Sequence, residues 1–247
     1  FNINIERGSW VTIAGPNGSG KTTLVKILAG LEKSYSDITI FNKPLKKENL
    51  HDIRRNIGFV FDNPDNFFAC ETVEDELAFS LENLGVYPKT ITKKIDEISK
   101  LLKIDYLLKE NPYNLSGGEK QKVALGCALM LEPRILVLDE ALLMIDINER
   151  SSLLKLLKKY NKEKRVTIIS FTHNLDEALY SDRLVIINDG VIVVDGSFPS
   201  VFEEERVMRK IGLEVPFGVE LSQKLKVYEI VSSLELDLER LVSLIWK

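Results

Sequence analysis

Trp10-Val11-Thr12-Ile13-Ala14 runs directly into Gly15-Pro16-Asn17-Gly18-Ser19-Gly20-Lys21-Thr22, and this stretch decides the fold. A short apolar segment of strand character delivers a Gly-rich loop. Thr22–Ala29 then carries Leu24, Ile27 and Leu28 at helical spacing, and Gly30 closes the expected helix. The loop fits G-x-x-x-x-G-K-[ST] in the strand–loop–helix setting that the pattern requires. Glycines let main-chain N–H groups close around phosphate oxygens with no Cβ in the way, and the helix points its positive end at the same anion. Asn17, Gly18, Ser19, Gly20, Lys21, Thr22 and Thr23 are therefore the candidate phosphate-binding residues. Lys21 is placed to reach β- and γ-phosphates, and the Thr22 hydroxyl to coordinate Mg2+.

Further apolar runs of strand character lie at 38–41, 57–61, 135–138 and 166–171. Leu184–Asn188 and Val191–Val194 flank Asp189-Gly190, a dipeptide suited to a two-residue hairpin turn. Between about residues 63 and 131 the pattern turns helical, with apolar residues three or four apart over 72–84, 91–108 and 119–131. These observations predict an α/β core with a mostly parallel sheet and helices on both faces, interrupted by a helical insertion. An acidic helical stretch is expected over 201–211. Pro216 and Gly218 then precede an amphipathic tail in which Val227, Ile230, Val231, Leu234, Leu238, Leu241 and Leu244 recur at helical spacing.

The 247 residues, 45% hydrophobic and 28% charged, suit a soluble globular chain with a substantial core. A formal net charge of −4 supplies no electrostatic reason to expect nucleic acid as a partner. Basic pairs such as Lys46-Lys47, Lys93-Lys94 and Lys158-Lys159 sit among acidic residues and read as solvated surface. Only Cys70 and Cys127 are present, without metal-ligand spacing, which points to a reducing compartment. No apolar run approaches the roughly 18 residues that span a bilayer, so action at a membrane would go through a partner.

Ile135-Leu136-Val137-Leu138-Asp139-Glu140 presents two acids at a strand's carboxyl end, where ligands sit in such sheets. Asp139 suits a Mg2+ ligand, and Glu140 a general base acting on the water that attacks a γ-phosphate. Leu115-Ser116-Gly117-Gly118-Glu119-Lys120-Gln121 opens a helix with a hydroxyl and two glycines, a second phosphate-binding arrangement. Ser116 and Glu119 also fit a capping box, which accounts for the helix start but leaves both glycines unexplained.

With these segments together, the chain resembles the nucleotide-binding subunits of ABC transporters over about residues 1–216. The resemblance implies a P-loop NTPase core that binds and hydrolyses ATP with Mg2+. It implies that Ser116, Gly117 and Gly118 complete the site of the opposite subunit in a head-to-tail ATPase dimer. It also implies a γ-phosphate contact by His173, after the strand at 166–171, and a role between sites for Asp146.

Several positions depart from the family pattern. Asp62 stands where the family carries glutamine, a carboxylate that could ligate Mg2+ but adds negative charge beside a triphosphate. Ala141-Leu142-Leu143-Met144-Ile145 replaces small, turn-forming residues with larger apolar ones. Both departures favour a heterodimer of unequal sites over a homodimer. Phe1–Ile5 resembles the strand just before the P-loop. The family's first strand and its adenine-stacking aromatic normally lie upstream of that position, so no adenine contact is named, and Phe1 and Trp10 read as core. Within the family, Asn63–Asn66, Thr72–Phe79 and Glu82–Gly85 are similar to the energising subunits of energy-coupling factor transporters. Those import vitamins or transition-metal ions through a transmembrane coupling protein and a membrane substrate-binding protein.

The expected organisation is an ATPase core over 1–62 and 132–196, a helical signature subdomain over 63–131 and a C-terminal helical extension over 197–247. The expected location is peripheral, at the cytoplasmic face of the cell membrane. The alternatives are a non-transport ABC ATPase and a regulatory nucleotide-binding subunit with weak hydrolysis.

Overall fold

A computed structural model describes residues 2–34, 37–202, 210, 212–231 and 238–245. In chain order its strands are β1 (Trp10–Ala14), β2 (Thr39–Ile40), β3 (Lys43–Pro44), β4 (Ile57–Val60), β5 (Ile135–Asp139), β6 (Thr167–Thr172), β7 (Arg183–Asn188) and β8 (Val191–Gly196). The helices are α1 (Lys21–Leu28), α2 (Leu50–Arg54), α3 (Val73–Asn83), α4 (Pro88–Leu102), α5 (Gly117–Met130), α6 (Ile147–Lys164), α7 (Leu175–Ala178) and α8 (Phe198–Phe202). Two more follow, α9 (Phe217–Val227) and α10 (Leu238–Ile245).

The chain divides into two compact units. One holds Phe1–Ile5, Ser9–Lys21 and Phe171–Lys247, and the other Glu6–Gly8 and Thr22–Ser170. The six-stranded sheet has the order β4-β5-β6-β1-β7-β8, and β6 runs through both units. β1 pairs parallel with β7 and β4 parallel with β5, while β7 and β8 are antiparallel. The expected mostly parallel α/β sheet is thus present.

In the first unit every residue of β1 is buried, which explains its continuous apolar run. Ala14, Leu184 and Ile186 pack with Leu175, Phe198, Val201, Leu213 and Val219. The β7–β8 turn forms at the expected Asp189-Gly190, with φ of 47° and 73°. Positive φ at both positions gives the turn the twist of its strands. Across this hairpin Arg183 grips Asp195 with two hydrogen bonds of 2.6 Å, and its Nη1 donates to the Asn4 carbonyl.

The second unit is organised by α5, whose residues from Gln121 to Met130 are all buried. A helix apolar on every side has no solvent face to keep polar. It approaches β4 so closely that a Cβ on Gly58 would stand 3.0 Å from the Ala128 carbonyl. Thr72 N-caps α3 through the Asp75 N–H, and the Glu76 carboxylate, itself buried, accepts from the N–H groups of Ala69 and Cys70 at 2.9 Å. Both cysteines are free, and both touch Glu76. Burial first, then Glu76, pushes the Cys70 thiol up to about 11, and burial raises Cys127 well above its ordinary value.

Two expectations differ from the structure. The helix expected over 91–108 spans Pro88–Leu102. Lys103, with φ 55°, ends it, and the Ile104 N–H returns to the Ser99 carbonyl at 2.8 Å, after which a separate turn covers Asp105–Leu107. Residues 2–5 alternate half-buried and exposed as a strand would, yet belong to no ladder. Among the described residues the tail carries α9 and α10. Phe1, residues 203–209, Ile211 and Leu234 lie outside the described residues. Trp10, read as core, is fully buried.

Asn161 ties α6 to the chain before β1. Its Nδ2 donates to the carbonyls of Gly8 at 2.9 Å and Val166 at 2.6 Å, and the Gly8 N–H donates to Thr167 Oγ1. Asn161→Ala removes the donor from two carbonyls at a buried position. It is expected to destabilise the protein by about 1–3 kcal/mol, read as a lower urea midpoint at unchanged slope.

Candidate functional site

Parallel pairing of Ala14 with Ile186 leaves Gly15 abreast of Ile187. A Cβ there would lie 2.3 Å from the Ile187 carbonyl and 2.6 Å from Ser19 Oγ, so only glycine lets the loop leave β1. Gly18 and Gly20 take φ of 84° and 103°. The Gly15 N–H donates to the Thr172 carbonyl at 3.3 Å, Ser19 N to Pro16 O at 3.2 Å, and Gly190 N to Ser19 O at 3.0 Å. Lys21 is 5% exposed, and its Nζ donates to the carbonyls of Gly15 at 2.7 Å and Pro16 at 3.1 Å, which folds the ammonium over its own loop. Asn17, Gly18, Thr22 and Thr23 are exposed. The Ser19 hydroxyl is buried with no hydrogen-bond partner. A buried orphan hydroxyl, a glycine-shaped cradle and an ammonium together fit a polyphosphate.

In the same unit, His173 follows directly on Thr172, the residue whose carbonyl holds Gly15. Thr172 Oγ1 accepts from the Asn174 N–H at 3.0 Å, and Asn174 Oδ1 from the Asp176 N–H at 2.9 Å. These bonds set the turn on which His173 stands exposed.

In the second unit, Val60 pairs with Leu138. Phe61–Asp62 and Asp139–Glu140 therefore leave at the same, carboxyl, edge of β4 and β5. Asp139 is 4% exposed, while Glu140 is half-buried with φ 49°, a conformation few side-chain-bearing residues adopt. Asp62 is exposed, and its Oδ1 accepts from the Asn63 N–H at 2.8 Å. Mg2+ keeps phosphate and water ligands and takes one or two carboxylates from a protein, and these acids offer that donor set.

At the start of α5 the capping box is formed. Ser116 Oγ accepts from the Glu119 N–H at 3.4 Å, and the Ser116 N–H donates to Glu119 Oε2 at 2.9 Å. The Ser116 hydroxyl also donates to Glu119 Oε2 at 2.6 Å, and the Tyr106 hydroxyl to Glu119 Oε1 at 2.9 Å. Both glycines have a packing reason inside the chain. A Cβ at Gly117 would lie 3.0 Å from Met144 Sδ, and one at Gly118 would lie 3.1 Å from the Met144 carbonyl. The unusual 141–145 segment thus lies against the start of α5. Arg150 holds it by donating from Nη2 to the Leu143 and Ile145 carbonyls, each at 3.0 Å. Asp146 is exposed at the N-cap position of α6.

Lys120 and Gln121 have contacts that their place in the sequence does not announce. The Lys120 ammonium pairs with Asp65 at 2.6 Å, and Gln121 Nε2 donates to the carbonyls of Asp62 at 2.8 Å and Phe61 at 3.3 Å. The available signal was a glutamine one turn into a helix that is otherwise apolar on that side. Arg150 had no comparable signal.

A family model described as ABC transporter matches residues 1–143. The energy-coupling factor transporter ATP-binding protein EcfA1 of Leuconostoc mesenteroides is 42% identical over 225 residues, 90% of this chain and 83% of that protein. EcfA of Pediococcus pentosaceus, under the same description, is 38% identical over 240 residues, 96% of this chain and 85% of that one. The chain is similar to the solved structure of cbiO1 from Clostridium perfringens, described as part of the ABC transporter complex cbiONQ. That match has a TM-score of 0.76 at 34% identity and covers 87% of this chain and 88% of that one. A dimeric ATP-binding cassette in a post-hydrolysis state bound to ADP and Pi matches with a TM-score of 0.73 at 30% identity, over 79% and 88% of the two chains.

Hydrogen bonds from the Ser116 side chain and main chain hold the Glu119 carboxyl below its ordinary 4.5. Because the folded value is lowered, the carboxylate's contribution is present above pH 4.5 and is lost as pH falls through the lowered value. Glu119→Gln is expected to cost about 1 kcal/mol or less near neutrality. It should also show a shallower loss of unfolding midpoint on acidification than wild type, measured by thermal melts from pH 7 down to about 3.

Proposed function

We propose a residue-level division of labour for this chain, which belongs to the ABC transporter family and matches its model over residues 1–143. The protein is an ATP-binding, ATP-hydrolysing subunit that energises an importer of the energy-coupling factor type. It works as half of an ATPase dimer on transmembrane partners and associates with the membrane peripherally. Among the described residues no helix is long and apolar enough to cross a membrane.

In the proposed division, main-chain N–H groups of Asn17–Thr23 and the buried Ser19 hydroxyl take the phosphates, and the Lys21 ammonium turns from the Gly15 and Pro16 carbonyls to the β- and γ-phosphate oxygens. Thr22, Asp139 and Asp62 would hold Mg2+, which would supply positive charge to offset that of the phosphates. Glu140 accepts the proton of the attacking water, and His173 donates to the γ-phosphate. Ser116, Gly117 and Gly118 serve the nucleotide of the partner ATPase. Residues 63–131 form the signature subdomain between the halves of the core, and residues from 197 on form a C-terminal extension. The observation that carries this reading is the loop at 15–21. Its glycines are dictated by contact and φ, its lysine is folded over it, and its serine hydroxyl lacks a partner.

Asp62 and the bulky 141–145 segment favour a partner ATPase of different sequence. The remaining proposed partners are a transmembrane coupling protein and a membrane substrate-binding protein, with imported vitamins or transition-metal ions as cargo and the cytoplasmic face as the site of action.

In the assembled complex, Glu140→Gln is expected to lower ATP turnover by about a hundredfold or more while ATP binding persists. Turnover equal to wild type would replace this reading with that of a regulatory, weakly hydrolysing subunit. Asp62→Gln should change turnover measurably, and unchanged ATPase and transport rates would remove Asp62 from the site.

A further inference from the structure

Two residues of α5 just past the signature glycines reach out of the helix to the loop that leaves β4. Gln121 is 1% exposed, and its Nε2 donates to the Asp62 carbonyl at 2.8 Å and the Phe61 carbonyl at 3.3 Å. Alongside, Lys120 pairs with Asp65 at 2.6 Å. The loop closes on itself as well, since Asn63 Oδ1 accepts from the Asp65 N–H at 3.0 Å and caps the turn at Pro64–Asn66.

Gln121 Oε1 is buried with no hydrogen-bond partner. An unmatched buried amide oxygen is a cost that an apolar side chain of similar length would avoid. What the glutamine supplies and an apolar residue cannot is a donor aimed at two consecutive carbonyls. Fixing both carbonyls fixes the peptide planes on either side of the Asp62 Cα, and with them the direction in which its side chain leaves the sheet edge.

We infer that Gln121 is a positioning residue for the ATPase reaction. Its amide, steadied by the Lys120–Asp65 pair, sets the direction of the Asp62 carboxylate from the helix that begins at Gly117. This rests on the reading that places Asp62 at the chain's own nucleotide and Ser116–Gly118 at the partner's. On that reading one buried helix carries a group for each nucleotide, and a shift of α5 displaces both together.

The test is ATP turnover of the assembled complex, measured against ATP and Mg2+ for wild type, Gln121→Met, Asp62→Asn and the double variant. Gln121→Met keeps length and volume but removes the donor. Expected is a fall in kcat of about tenfold with KM for ATP changed by less than about twofold, and a higher Mg2+ concentration for half-maximal rate. In the Asp62→Asn background the same substitution should change kcat by less than about twofold, because the carboxylate through which Gln121 acts is gone. An undiminished effect in that background overturns the inference, since it marks a general structural role. A silent Gln121→Met beside an impaired Asp62→Asn overturns it alone and leaves the Asp62 reading standing. A silent Asp62→Asn removes both. Should Gln121→Met fail to fold, Lys120→Met carries the same comparison, with an expected loss of about threefold in wild type that disappears in Asp62→Asn.

Discussion

A main-chain N–H can face a phosphate oxygen only where the chain turns without a Cβ in the way and without a ladder partner for that N–H. In the first unit the loop that leaves β1 meets this constraint. β1 and β7 run parallel and so close that Gly15 abuts the Ile187 carbonyl, and no side chain fits there. The loop must therefore leave β1 as bare backbone, and Gly18 and Gly20 bend it through left-handed conformations into the start of α1. Its tie to Gly190 anchors it to the β7–β8 turn, which in turn depends on Asp189 and Gly190 both tolerating positive φ. A buried strand, a hairpin and a helix start thus converge on one geometric requirement.

The second unit meets a related requirement by different means. The first amides of α5 are kept in place by a carboxylate, Glu119, which satisfies Ser116 rather than leaving the helix end to fray. Further along the chain, the connection at 61–70 carries little regular structure of its own. It is held instead by side chains from its surroundings: Gln121 at 61–62, Lys120 at 65, the Tyr113 hydroxyl at the Phe68 carbonyl, and Glu76 at 69–70. Such a segment is only as rigid as the elements that grip it, and most of the grips lead back to α5 or α3. Pro64 and Phe68 are buried as well, and the Phe68 ring meets Tyr113 edge-on, so polar grips and apolar burial hold the segment together.

Much of this was legible in the sequence where a residue type answers to one local demand. The glycines of 15–20, the Asp189-Gly190 turn, the acids ending Ile135–Asp139 and the Ser116–Glu119 box each encode their conformation within a few residues. Element ends were less legible. Lys103 adopts a left-handed conformation because tertiary packing buries Ile104 and closes the end of α4, not because lysine prefers it. The alternation at Phe1, Ile3 and Ile5 reads as a strand, but a strand also needs a partner, which periodicity cannot specify. In the site, Gln121 and Arg150 were hidden for the same reason. Their targets are main-chain carbonyls some 60 and 5 to 7 residues away, and carbonyls leave no signature in a sequence.

Glu140 closes β5 with φ 49°, in a region where glycine, asparagine and aspartate sit at ease and a longer side chain does not. The acid assigned to the proton is therefore maintained against the preference of its own backbone. Substitution to glycine at this position relieves that conflict even as it removes the carboxylate. The backbone strain relieved by that change offsets part of what folding loses with the side chain. The backbone at this position gives no reason for a glutamate, and the reason lies in the chemistry of the strand end it occupies.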